Sequence, residues 1–288
     1  MPAAQSAPTF ILTIACPDRM GIVAAVSKFL FDKGCDITDS AQFGDRQNGT
    51  FFLRVLFAST RGYALDELRR AFAPTATEFA MKAAFFEAGR RVKTLIMVSR
   101  FGHCLNDLLY RCRSGALPIE VPVVVSNHTD FESLVTSQGI AFRHMPVTRD
   151  TRDAQEAALQ RLIDEHGIEL IVLARYMQVL SEAFCERMAG RIINIHHSFL
   201  PSFKGASPYR QAYERGVKLI GATAHYVTSD LDEGPIIEQA VERVHHGLSP
   251  EDYVAVGRDI ESIVLARAIK WHAERRVLRN GKRTIVFA

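Results

Sequence analysis

Asn194 and His196 close the apolar run RIINIHH, residues 191–197, two positions apart. Alternate side chains of an extended chain share a face, so this amide and this imidazole project into one crevice. Asp232 lies further on, in KLIGATAHYVTSDLDEGPIIEQ, just ahead of Glu233-Gly234-Pro235. Such a tight turn is able to carry the carboxylate into the same crevice. The three groups suit transfer of a small acyl group. An amide NH2 and a protonated imidazole both donate to a carbonyl oxygen as negative charge grows there, and one preorganised donor of this kind contributes roughly 2.7–4 kcal/mol. A carboxylate beside an imidazole favours its charged form and can orient water or relay a proton. None of the three has to be a covalent nucleophile. Each also has a structural use: a strand-end histidine as a hydrogen-bonder, Asn as a local cap, Asp-x-Gly as an ordinary turn. His225 could merely pair across strands. Taken singly, the residues leave both readings open.

The elements that must position these groups follow from periodicity. Residues 9–15, TFILTIA, read as a strand, CPDRMG as a turn, and IVAAVSKFLFDKG as a helix closing on Gly34. A polar loop is expected around QFGDRQNGT, then a strand FFLRVLF and a short helix ALDELRRAFA. This is a small α+β unit. The rhythm changes near EAGRR, residues 87–91. VKTLIMVS, VPVVVSN, AFRHMPV and ELIVLARYM are apolar runs separated by helical spacings, as in a parallel, doubly wound sheet covered on both faces. Ligands of such sheets sit beyond the carboxyl ends of the strands, where RIINIHH ends. The last long helix, about residues 250–274, reads as packing.

Composition narrows the class. The chain has 288 residues, 48% of them hydrophobic, and a net charge of +3, which suits a folded two-domain protein without a dedicated nucleic-acid surface. Five dispersed cysteines, Cys16, Cys35, Cys104, Cys112 and Cys185, read as reduced thiols rather than a disulfide framework or zinc site. No signal peptide and no spanning helix are expected, and hence a cytoplasmic location without membrane partners.

Asn194-Ile195-His196 with Ser198-Phe199-Leu200-Pro201-Ser202-Phe203-Lys204-Gly205 resembles the signature of the folate-dependent formyltransferase fold. Thr223-Ala224-His225-Tyr226 with Asp232-x-Gly234-Pro235-Ile236-Ile237 resembles its second signature. The resemblance covers about residues 91–280 and implies that Asn194, His196 and Asp232 are catalytic, with Thr223 and His225 supporting. It implies a folate cleft walled by Arg175, Tyr176, Met177, Gln178, Val179 and Leu180 on one side and by Thr228, Ser229 and Asp230 on the other. The N-terminal Cys16-Pro17-Asp18-Arg19-Met20-Gly21-Ile22-Val23 resembles the opening of an ACT domain. That resemblance implies a ferredoxin-like α+β domain that pairs with copies of itself. It also implies an amino-acid effector, glycine or methionine, near Asp18, Arg19, Gly21, Ile22 and Val23.

The fold class expected is therefore α/β: an ACT domain over 1–87, then a Rossmann-like formyltransferase-fold domain with a mostly parallel sheet over 88–288. Members of the transferring branch open this second domain with a Gly/Asn/Ser-rich loop that cradles a phosphate on backbone N–H groups. Here the place reads Ser99-Arg100-Phe101-Gly102-His103-Cys104-Leu105-Asn106, with a single glycine and bulky neighbours. His-His-Ser also stands where transferases usually have His-Pro-Ser. The resemblance is thus to the branch that hands the formyl group to water. It implies metal-free hydrolysis of 10-formyltetrahydrofolate to formate and tetrahydrofolate, with no permanently bound cofactor, a homo-oligomer (dimer or tetramer) and a link through formate to purine biosynthesis. The alternatives are a formyltransferase to an amine such as glycinamide ribonucleotide, and a non-catalytic folate or amino-acid sensor.

Overall fold

The computed structural model describes residues 7–148, 150–201 and 208–288. Two compact units emerge: residues 1–90 with 274–280 and 285–288, and residues 91–273 with 281–284.

The first unit runs β1 (Thr9–Pro17), α1 (Ile22–Asp32), β2 (Cys35–Asp45), β3 (Thr50–Ser59), α2 (Leu65–Glu78), β4 (Lys82–Glu87). Its sheet has the order β2-β3-β1-β4 and every pairing is antiparallel. Leu12 and Ile14 of β1 meet Val26 and Leu30 of α1 and Leu68 and Phe72 of α2 in one apolar core. Gly21, at φ 93°, starts α1 in a left-handed conformation that a side chain would strain. The expected polar loop around QFGDRQNGT is instead the end of β2, a turn, and the start of β3, with Asp45 opposite Thr50. Most β2 side chains are exposed, so no inward–outward alternation marked the strand. Residues 274–280 and 285–288 also belong to this unit: Glu274 O accepts from Arg54 Nε at 3.2 Å and Asp45 accepts from Asn280 Nδ2 at 2.7 Å. Residues 277–286 form a hairpin, β12 (Val277–Asn280) and β13 (Arg283–Val286).

The second unit begins β5 (Val92–Val98), α3 (His103–Arg113), β6 (Ile119–Ser126), α4 (Glu132–Thr136), β7 (Ala141–His144), α5 (Arg152–His166), β8 (Leu170–Leu173). It continues α6 (Glu182–Arg187), β9 (Ile192–His196), α7 (Pro208–Glu214), β10 (Leu219–Tyr226), β11 (Ile236–Arg243), α8 (Pro250–Ala273). The sheet order is β11-β10-β9-β8-β5-β6-β7. β7, β6, β5, β8 and β9 are parallel, while β10 and β11 join antiparallel at one edge. Leu95, Ile96, Met97 and Val98 are wholly buried, which is why β5 reads as a continuous apolar run. The chain leaves β5 toward β6 and β7, then returns to place β8 and β9 on the other side. The crevice beyond the strand ends opens at this reversal. Among the described residues no helix is long and apolar enough to cross a membrane.

Candidate active site

β9 ends at His196, and antiparallel pairing sets Asn194 opposite His225 and His196 opposite Thr223. Register alone therefore gathers the amide and two imidazoles. Asp232 comes from the connection between β10 and β11. Gly234 makes this possible: a Cβ there would lie 1.7 Å from Tyr226 O, so only glycine lets the turn close on the end of β10. Tyr226 N donates back to Pro235 O at 2.9 Å. Asp232 itself sits at φ 57°, and Arg175 at φ 64°. Two of the four non-glycine residues with positive φ among those described thus lie at this crevice, and local strain of this kind persists where surroundings impose it.

The carboxylate bridges two rings. Asp232 Oδ2 is 3.2 Å from His196 Nδ1, and Oδ1 is 3.7 Å from His225 Nε2. His225 Nδ1 lies 2.9 Å from Tyr226 O, which fixes that nitrogen as a donor, and Asn194 Nδ2 lies 3.3 Å from His225 Nε2. Burial pushes the Asp232 carboxyl up, but the polar contacts and positive charge offered by His196 and His225 outweigh it and hold the group well below the usual carboxylate range. His196 is 4% exposed, yet among the described residues its Nε2 has no hydrogen-bond partner. A buried polar atom without a partner is costly, so this nitrogen is available to bond a bound group. Asn194 carries a second N–H to aim at the same place.

Thr223, wholly buried, supports the chain that follows β9. Its hydroxyl donates to Ser198 O at 3.0 Å and accepts from Leu200 N at 3.1 Å and Gln239 Nε2 at 2.9 Å. Gln239 also donates to Leu200 O at 3.1 Å, a support that nothing in the sequence singled out. Ser202, Phe203, Lys204 and Gly205 of the first signature lie outside the described residues.

The proposed folate walls are built as follows. β8 stops at Leu173, and residues 174–180 run as irregular backbone rather than the continued strand that ELIVLARYM suggested. Ser99 Oγ accepts from Met177 N at 3.0 Å, Ser99 N donates to Arg175 O at 3.2 Å, and Tyr176 OH accepts from Gln155 at 3.0 Å. Glu156 accepts from Ser181 N at 2.7 Å just beyond Leu180. Pinned at both ends, the segment exposes Met177, Gln178 and Val179 and buries Tyr176 and Leu180. On the other side Thr228 Oγ1 donates to Asp230 O at 3.1 Å, and Ser229 and Asp230 are exposed.

Between β5 and α3 the chain places the Phe101 ring, with the guanidinium groups of Arg175 and Arg258 5.5 and 5.6 Å from its centre. A Cβ at Gly102 would meet the far end of the Phe131 ring at 2.3 Å, so a side chain there would have to displace that ring. His103 opens α3 with its Nε2 2.7 Å from Glu261 Oε2. His103, Cys104 and Glu261 form a group whose ligand-type atoms lie within 4.8 Å of one another. Burial pushes the Cys104 thiol far up, and the Glu261 oxygens are taken by His103 and Tyr209, so this group fits a cation poorly. His197 turns from the crevice toward Tyr209. Burial, then the charges of Arg175 and His196, push its pKa down to about 3, so it is neutral.

In the first unit, the turn holding Asp18 and Arg19 is fixed by Asp18 N donating to Gly49 O at 2.8 Å. Arg19 donates to Glu78 O at 2.7 Å and stacks 4.0 Å above Phe79. Ile22 is core, whereas Asp18, Gly21 and Val23 are exposed.

Comparison with known proteins agrees with this architecture. A family model described as formyl transferase matches residues 92–269, and one described as ACT domain matches residues 8–85. The formyltetrahydrofolate deformylase of Corynebacterium sp. (strain P-1) is 54% identical over 278 residues, 96% of this chain and 97% of that one. The crystal structure of formyltetrahydrofolate deformylase from Burkholderia mallei superposes with a TM-score of 0.93 at 52% identity, covering 98% of this chain and 100% of that one. Glycinamide ribonucleotide transformylase 1 from Symbiobacterium toebii is more distant, with a TM-score of 0.66 at 34% identity, covering 70% of this chain and 97% of that one.

Proposed function

The chain belongs to the formyltetrahydrofolate deformylases, and from that premise we propose how its residues hydrolyse 10-formyltetrahydrofolate to formate and tetrahydrofolate. The observation that carries the assignment of residues is the Asp232 carboxylate 3.2 Å from His196 Nδ1 and 3.7 Å from His225 Nε2, with His196 Nε2 left without a partner among the described residues. His196 Nδ1–H faces Asp232, so Nε2 is the nitrogen that meets the substrate. Protonated there, it donates to the formyl oxygen together with the Asn194 amide. Water adds to the formyl carbon, and the C=O electrons move onto this oxygen, which the two donors stabilise. Asp232 is held too acidic to be a strong base, so it orients the water and steadies the imidazolium. The C–N bond then breaks. The folate nitrogen takes a proton from His196 or through water, one proton of the added water passes to the histidine and restores it, and the other leaves on formic acid, which ionises to formate in solvent. Phe101, standing where a phosphate would approach, favours water over an amine acceptor.

The test is release of formate from 10-formyltetrahydrofolate with no acceptor added. Turnover only after a ribonucleotide amine is supplied would overturn the hydrolytic reading. A folded His196→Ala protein working at the normal rate would remove His196 from the mechanism.

The finer assignments rest on the ACT resemblance and composition. The first unit regulates and pairs the chain, and the second carries catalysis. Glycine or methionine binds near Asp18, Arg19 and Gly21. The enzyme is a cytoplasmic dimer or tetramer whose formate feeds purine biosynthesis. Light scattering gives the assembly, and turnover with and without each amino acid identifies the effector.

A further inference from the structure

α8 reads as packing, yet its buried side carries an acid that the reaction above does not use. Glu261 is 1% exposed among the apolar neighbours Ile260, Val264 and Leu265. Its Oε2 accepts from His103 Nε2 at 2.7 Å and lies 3.5 Å from Arg175 Nε. Its Oε1 accepts from Tyr209 OH at 2.8 Å. Burial pushes this carboxyl up, but the bond from His103, the Arg175 charge and the bond from Tyr209 hold it below its usual range. Stability alone does not call for such a cluster, because well-packed apolar residues often replace a buried ion pair at no loss.

What the cluster touches points to the reaction. His103, Arg175, Tyr209 and Glu261 line a cavity of about 820 Å³ together with His197 and Met177. The Tyr209 ring stands edge-on to His197 with centres 6.3 Å apart, and His197 stands edge-on to His196 at 5.1 Å. Arg175 is the first residue of the segment 175–180, and its strained backbone, φ 64°, needs support from outside. Two chains of contact thus leave Glu261: one ends at the catalytic imidazole, the other at the folate wall.

We propose that Glu261 is a positioning residue for deformylation, fixing the His197–His196 stack through Tyr209 and the start of the folate wall through Arg175. The inference rests on the deformylase reading of the site. The two chains make separable demands. Tyr209→Phe removes one hydroxyl and loosens only the histidine side, so kcat should fall about fivefold with KM for formyl-folate unchanged. Glu261→Gln frees Arg175 as well, so kcat should fall about tenfold and KM should also rise severalfold. Both are measured as formate release per folded molecule on the full-length protein, with urea midpoints recorded alongside. A purely structural Glu261 would move the midpoints and leave both constants untouched; that result overturns the proposal. If Glu261→Gln does not fold, Tyr209→Phe decides: wild-type kcat overturns the proposal, and a fall in kcat at constant KM sustains it. A wild-type protein that releases no formate would overturn the reaction itself, and the inference with it. A working wild type with unaltered variants overturns the inference alone.

Discussion

Asp232 and Glu261 are two carboxylates in one domain with similar neighbours and opposite closures. Burial works against the ionised form of each, and histidine contacts help restore it in each. Glu261 is 1% exposed, and both its oxygens take bonds of 2.7–2.8 Å from partners fixed on other elements. Asp232 has a side chain 15% exposed, longer contacts of 3.2 and 3.7 Å, and a partner histidine whose other nitrogen is unpaired among the described residues. In the first network both carboxylate oxygens are bonded, while Arg175 Nε, 3.5 Å away, makes no hydrogen bond among the described residues. On the proposed mechanism, the difference between holding and reacting lies in how tightly the carboxylate oxygens are already bonded, not in the kind of residue.

Removing the charge from each network should give opposite signatures. Asp232→Asn keeps the side-chain size, leaves the urea midpoint near wild type, and should lower kcat by roughly 10²–10⁴-fold. Asn194→Ala, measured the same way, should cost roughly 10²–10³-fold in kcat with little change in KM, since its amide acts on charge that develops only in the transition state. Glu261→Gln should show the smaller kinetic loss and the larger drop in midpoint. Were Asp232→Asn to shift mainly stability and Glu261→Gln mainly turnover, the two roles would have to be exchanged.

How far each network was legible in the sequence follows from where its parts sit. Asn194 and His196 share one strand, so period two put them on one face. Asp232 was findable because Gly234-Pro235 announces a turn, and His225 because it precedes that turn on the paired strand. The parallel part of the sheet was visible in its unbroken apolar strands. Glu261 left no such trace: it is one acid in a long helix, and its partners His103 and Tyr209 lie 158 and 52 residues away. β2 was hidden for a different reason, being an exposed strand with no inward face to alternate. Contacts fixed by tertiary packing leave no period to read.

Two glycines give a backbone version of the same contrast. In Gly234→Ala the new Cβ would lie 1.7 Å from Tyr226 O, a backbone atom that cannot step aside. The turn presenting Asp232 should open, costing about 1–3 kcal/mol of stability together with most of the activity. In Gly102→Ala the Cβ would meet the Phe131 ring at 2.3 Å, beside His103. That ring can move, so urea denaturation should show a smaller stability loss, and assays a partial loss of turnover.

The smallest effect is also the one that isolates charge. A carboxyl whose native pKa lies below its unfolded value contributes stability that is complete above the unfolded value, near pH 4, and disappears as pH falls through the native one. Both acids have this sign, because the unfolded chain binds more protons than the native one as the solution is acidified. The midpoint gap between wild type and Glu261→Gln should therefore be widest near neutral pH and close as the pH falls through the lowered native value. The gap for Asp232→Asn should close in the same direction but start narrower, because its longer, partly exposed contacts are screened by solvent. A gap that stays constant with pH for Glu261→Gln would mean that shape, not ionisation, holds His103, Tyr209 and Arg175 together. The two carboxylates would then differ in kind, and the resemblance between their networks would be one of geometry alone.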